Sequence, residues 1–359
     1  MQDSEWSAKI FATPGRHWPC AAIDEKYGRW SWCSSLIIDR PPLISASKYT
    51  FMRICHLPTL VGFMLSFIST SFANTSSGTN TAPWNERISI TTEGEGPDLI
   101  LIPGLASSRE VWSKQAVNLR KNYKLHLVQI SGFAESAPVT NTENDVAKPA
   151  AQAIANYIRD EHILTPAIIG HSLGGEIALM LGARYPELVG SLTIVDALPF
   201  YSLLFDPRAT PEIVKPRAGM IRNAMIAASS DQTLAAQTQA ISNLVKTEAE
   251  RPAIVRSGMQ SDRKTVANAT YELMTTDLRP ELEHIRAPVK VIYAYDAAYG
   301  IPPAAVDSMY QDAYRSASKA IFQRIDGSFH FIMLDQPDQF ERTLTEFLKQ
   351  TRSSAVGVQ

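Results

Sequence analysis

The chain has 359 residues, 45% of them hydrophobic, enough for one large core or two modest ones. Its formal net charge is −2 and no basic stripe or charge block runs along it, which argues against a nucleic-acid partner and against a charged interaction tail. No internal repeat, dinucleotide fingerprint, phosphate loop or metal-ligand cluster is found, so neither a cofactor nor a metal ion is expected.

The first seventy or so residues read differently from the rest. Met52-Arg53 is followed by a nearly uncharged apolar run from Leu57 to Ile68, then by small residues up to Ala73. That is the anatomy of a secretory signal, and the run is shorter than the ~20 residues a membrane span needs. Residues 52–73 are therefore expected to direct export to the periplasm or medium, leaving no membrane anchor after cleavage. Residues 1–51 hold Trp6, Trp18, Trp30 and Trp32 without any sustained period, and are expected to be an upstream extension or a disordered leader. Cys20, Cys33 and Cys55 all lie before Asn74, so the predicted mature chain has neither disulfides nor a catalytic thiol.

From Asn74 to Asn80 the chain is Ser/Thr/Gly-rich and reads as a flexible start. Strands are predicted at Ile88–Thr92, Asp98–Ile102, Lys124–Ile130, Ala167–Ile169 and Ser191–Asp196, with helices at Arg109–Leu119, Val146–Arg159 and after Leu173. The alternation of strand and helix implies an α/β fold, a mainly parallel sheet with helices on both faces. Between Leu198 and about Glu283 it pauses. Four helical segments (Pro211–Ala228, Asp231–Lys246, Ala249–Gly258, Arg263–Thr275) suggest a helical cap over residues 198–285, inserted in a sheet domain formed by 74–197 and 286–352. The methionines in this stretch are expected to pack on their own core more than on a ligand. Strands at Val289–Tyr295 and Lys319–Ile325 follow, with helices at Ala304–Ser316 and Pro337–Gln350, and residues 353–359 are expected to fray.

One stretch organises the whole: Ala167 to Gly182, AIIGHSLGGEIALMLG. It is G-x-S-x-G between a short apolar run and a helix, the context in which a serine is held on a sharp strand-to-helix turn. Gly170 and Gly174 remove the Cβ atoms that would clash there, and Gly175 lets the helix pack close to the sheet. Gly-His-Ser-Leu-Gly-Gly resembles the nucleophile elbow of the α/β-hydrolase superfamily, in its serine-nucleophile, esterase- or lipase-like branch with a helical cap, and the resemblance covers about Ile88 to Leu348.

The resemblance implies a triad in the order serine, carboxylate, histidine. A serine hydroxyl is a poor nucleophile without a base in contact, and the base needs a carboxylate to fix its tautomer. Ser172 is the implied nucleophile, and His330, in the loop after the last strand, the implied base. For the acid, Asp296 at the end of Val289–Tyr295 is preferred and Asp196 at the end of the preceding strand is the second choice, since strand ends on one edge of a parallel sheet converge. Main-chain amides of Leu173 and, in Pro103-Gly104-Leu105, of Leu105 are implied as the oxyanion hole. His171 is expected to point away from Ser172, and Trp112 to belong to the core. A serine at the elbow implies an acyl-enzyme mechanism on a small-molecule ester or amide. Expected first is a carboxylesterase for small to medium apolar esters, next a prolyl-type aminopeptidase or acyltransferase, and from another class a non-catalytic binding protein on the same fold.

Overall fold

Each expected β/α alternation is realised in the computed structural model, which describes residues 86–139 and 145–356. The expected leader, the signal segment and the start at Asn74–Asn80 lie outside the described residues. Seven strands, β1 (Ile88–Glu93), β2 (Asp98–Ile102), β3 (Lys124–Ile130), β4 (Ala167–His171), β5 (Ser191–Val195), β6 (Val289–Tyr295) and β7 (Ala320–Asp326), form one sheet in the order β1-β3-β2-β4-β5-β6-β7. Only β1 runs antiparallel, against β3; the other pairings within this sheet are parallel.

The helices are α1 (Ser113–Leu119), α2 (Ala147–Asp160), α3 (Leu173–Arg184), α4 (Pro211–Ala227), α5 (Ser230–Leu244), α6 (Arg251–Met259), α7 (Arg263–Thr275), α8 (Pro303–Ala313), α9 (Ile332–Asp335) and α10 (Pro337–Val356). The last runs to Val356, where the sequence reading ends it at Gln350. The Thr351 hydroxyl donates to the carbonyls of Phe347 and Leu348, so a residue read as a terminus is absorbed into the helix.

Central strands buried on both faces show how the layers form. Ile100 and Ile102 of β2 pack with Ile154 of α2, Ile177 of α3 and Val306 of α8 on one side. Leu99 and Leu101 point the other way, to Ala116 of α1 and to Phe340 and Leu344 of α10. Every one of these side chains except Ala116 and Val306 is wholly buried, worth about 1.5–3 kcal/mol each for the larger ones.

Between β5 and β6 lie α4 to α7, and their starts are written in the sequence. Thr210 accepts from the Ile213 amide ahead of Pro211. Ser229 and Gln232 make a capping box, and Asp262 accepts from the Thr265 amide. The turn between α5 and α6 is fastened to the loop around α9. The Phe331 amide donates to Leu244 O at 3.1 Å. The Asp335 carboxylate takes the amides of Phe329 (2.9 Å), Lys246 (3.1 Å) and Thr247 (2.8 Å). The methionines divide: Met274 is buried, Met220 is exposed, and Met225 faces the cavity described next.

Candidate active site

Parallel register places the site. Gly170 lies opposite Ile194 and His171 opposite Val195, so β4 and β5 end side by side and the residues after them, Ser172 and Asp196, leave the same edge of the sheet. The Ser172 amide donates to Val195 O at 2.9 Å and the Asp196 amide to Ile292 O at 2.8 Å, which carries the alignment on to β6.

Ser172 caps α3 at φ 55°, ψ −121°, a conformation that non-glycine residues seldom adopt. The surrounding glycines make it possible by close approach. A Cβ on Gly170 would stand 2.0 Å from Gly174 O, and one on Gly174 would stand 2.4 Å from Ile102 O. The elbow thus closes with backbone against backbone. Leu173 is the first residue of α3 and wholly buried, with its amide among the helix's initial N–H groups, which have no partner within the helix. Leu105 follows Gly104 in the loop after β2, and both line the same cavity as Ser172. That loop is braced by Gln129, which accepts from the Arg109 amide and donates to Ser107 O and Phe133 O, and by Ser257 of α6, which donates to Ala106 O.

His330 lies between β7 and α9. Its Nδ1–H donates to Asp196 Oδ2 at 2.7 Å. The other carboxylate oxygen of Asp196 accepts from the Ala294 amide at 2.9 Å and from the Tyr310 hydroxyl at 3.0 Å. Asp196 itself sits at φ 46°, a strained turn that aims the carboxylate across the strand ends. Burial, followed by the neighbouring Asp196 charge, holds the Tyr310 phenol well above its ordinary range, so it stays a donor.

The preferred acid of the sequence reading is therefore corrected: the carboxylate bonded to the His330 ring is that of Asp196, and the bonds of Asp296 go elsewhere. Its Oδ2 pairs with Lys246 Nζ of the cap at 2.6 Å and its Oδ1 accepts from the Ala298 amide at 2.9 Å, capping a short 3-10 turn. Burial raises its pKa, but the Lys246 ion pair and the Ala298 N–H outweigh that and hold the carboxyl below its usual range. Both oxygens are committed, one to a cap lysine that no strand or helix period reveals.

His171 has a part the sequence did not suggest. Its Nε2–H donates to the main-chain oxygen of His330 at 3.1 Å, and the two rings lie 4.6 Å apart. Complete burial, with the nearby His330 adding to it, drops its pKa well below the ordinary value, so it is a neutral strut under the loop of His330. Trp112 is wholly buried, stacked on Phe340 and edge-on to His171.

Ser172, Asp196 and His330 all border a cavity of about 270 Å³, whose walls include Leu198, Leu204, Ile241, Leu244, Ile254 and Leu273. One wall residue is unlike the rest. Glu176, one turn after Ser172 on α3, is wholly buried, and neither carboxyl oxygen has a hydrogen-bond partner among the described residues. Burial, then the charge of Glu272, pushes its pKa well above the carboxylate range. An unsatisfied buried polar group of this kind costs about 1–3 kcal/mol. A carboxyl that is harder to ionise folded than unfolded stabilises below its unfolded pKa of about 4.3 and loses that contribution as pH rises through the folded value. Glu176→Gln should accordingly lose less melting temperature than the parent between acidic and neutral pH; parallel curves in a pH series of thermal melts would refute it. Glu272 is raised as well, by burial against three amide donors, so part of the slope remains in both proteins.

Comparison with known proteins agrees with this architecture. A family model described as the alpha/beta hydrolase fold matches residues 97–274. The pimeloyl-[acyl-carrier protein] methyl ester esterase of Aliivibrio fischeri (strain MJ11) is 26% identical over 259 residues, 72% of this chain and 96% of that protein. Its namesake from Aeromonas hydrophila is also 26% identical, over 73% of this chain and 99% of its own length. Among solved structures, the enol-lactonase from Burkholderia xenovorans LB400 superposes with a TM-score of 0.60 at 18% identity, covering 73% of this chain and 96% of that one. A thermophilic esterase from Thermogutta terrifontis gives 0.59, also at 18% identity, over 74% and 93%.

Proposed function

Because this chain belongs to the α/β-hydrolase superfamily, we propose that it is a carboxylesterase that acts on small to medium esters through an acyl-enzyme on Ser172. The observation that carries the reading is the pair His330 Nδ1–Asp196 Oδ2 at 2.7 Å, bordering one cavity with the elbow serine. With its Nδ1–H held by Asp196, the imidazole keeps Nε2 unprotonated, the tautomer a general base needs. His330 takes the Ser172 proton as Oγ attacks the ester carbonyl, and Asp196 stabilises the imidazolium. The amides of Leu105 and Leu173 receive the oxyanion. His330 then returns the proton to the leaving alcohol, and water, activated by the same base, frees the acid. An ester as the substrate class is supported by the names of the similar proteins, methyl ester esterases, and by the apolar walls of the cavity.

A fluorophosphonate should label the protein stoichiometrically, with the adduct mapped to Ser172 by peptide mass spectrometry. Hydrolysis of 4-nitrophenyl acyl esters should be lost in step with labelling. Label on another residue, or turnover that survives full labelling, would refute the assignment.

A further inference from the structure

The wall of the cavity asks for something a plain hydrocarbon chain does not supply. Leu198, Leu204, Ile241, Leu244, Ile254 and Leu273 fit an aliphatic acyl group, but Glu176 presents a wholly buried carboxyl with both oxygens unpartnered among the described residues. Two nearby groups that could have satisfied it are engaged elsewhere, and the Tyr201 hydroxyl, which borders the same cavity, makes no hydrogen bond to it. The Tyr314 hydroxyl donates to Ala197 O at 2.6 Å, and the Glu272 carboxylate accepts the amides of Val146, Ala147 and Lys148 at the start of α2. No Lys or Arg is among the described residues that line the cavity, so the carboxyl has no cation there to stabilise an ionised form.

From these observations we propose that Glu176 is a specificity residue of the acyl pocket, and that the preferred acyl groups carry a hydroxyl along the chain that hydrogen-bonds to it. A protonated carboxyl offers one O–H donor together with acceptor lone pairs, and an alcohol offers the complementary set, so one hydroxyl satisfies both oxygens of Glu176 at once. The position suits this role. Glu176 follows Ser172 by one helical turn, about 6 Å along the axis, so the hydroxyl is recognised several carbons beyond the ester carbonyl and takes no part in the chemistry. An ammonium at the same place would require ionised Glu176 deep in an apolar wall with Glu272 adding like charge, which disfavours a basic substrate. The inference rests on the esterase reading for its kinetic arm and on the cavity alone for its binding arm.

The test compares methyl 6-hydroxyhexanoate with methyl hexanoate. In Ser172→Ala protein, calorimetric titration should show the hydroxy ester bound about tenfold more tightly. Adding Glu176→Leu should abolish that preference, while Glu176→Gln, which keeps a donor and an acceptor, should retain most of it. With Ser172 intact, the ratio of kcat/KM for the 4-nitrophenyl esters of the same two acids, hydroxy over plain, should fall by about tenfold in Glu176→Leu and by much less in Glu176→Gln. An unchanged binding preference in both Glu176 variants would overturn the proposal, as would methyl 6-aminohexanoate binding best. If discrimination in binding is found but no ester is turned over, it is the esterase reading that fails and the role of Glu176 that stands.

Discussion

Alanine in place of Ser172 should lower ester turnover by a factor on the order of 10⁶, to the background of the assay, because attack, proton transfer and acyl-enzyme formation all pass through its Oγ. Folding should hardly register the change. Alanine suffers the same unfavourable backbone at φ 55° that serine does, and the clefts closed by Gly170 and Gly174 are unaffected. A melting temperature within a few degrees of the parent is therefore expected, beside complete loss of fluorophosphonate labelling. Residual turnover within tenfold of the parent would mean that the elbow serine is not the nucleophile.

The second large effect separates the two aspartates. Asp196→Asn keeps the shape of the side chain but can turn its amide N–H₂ toward His330, favouring the tautomer in which Nε2 carries the proton and cannot act as base. A loss of about 10⁴ in kcat is expected, as for other triads of this kind. Asp296→Asn removes the Lys246 ion pair instead. Lys246 is about half exposed, with 48% of its side chain accessible, so solvent screens the pair and the cost should stay at about 1 kcal/mol or less. Its turnover should remain within about tenfold of the parent. Rates and melts must be read together, because Asp196 also accepts from Ala294 and Tyr310, and losing those bonds would cost stability as well as rate. A brisk Asp196→Asn beside a dead, folded Asp296→Asn would move the acid back to β6.

Which of these features could be read from the chain follows from how local each one is. The elbow was legible because its requirements sit within Gly170–Gly175: a serine in a strained turn and glycines where backbone meets backbone. The strands and helices were legible because burial on two faces leaves apolar runs and burial on one leaves a period. The acid was not. Asp196 and Asp296 both follow strands on the same edge, and which of them pairs with His330 is set by a strained φ at Asp196 and by Lys246, which comes from a cap whose packing leaves no period to read. His171 and Asp335 escaped for a similar reason, since each acts through main-chain atoms, His171 on the carbonyl of His330 and Asp335 on three amides. Glu176 does leave a signal, a lone acid within GEIALMLG, a helix otherwise fit only for burial.

The strut from His171 to His330 O joins two points 159 positions apart in the chain, and the Asp196–His330 pair spans 134. Contacts of such long range carry a larger loop-closure cost than local ones. On the proposed mechanism, a chain ordered only as far as β6 would hold Ser172 without its base, His330, and would turn over no ester. On that mechanism, turnover would count only molecules folded through to α9.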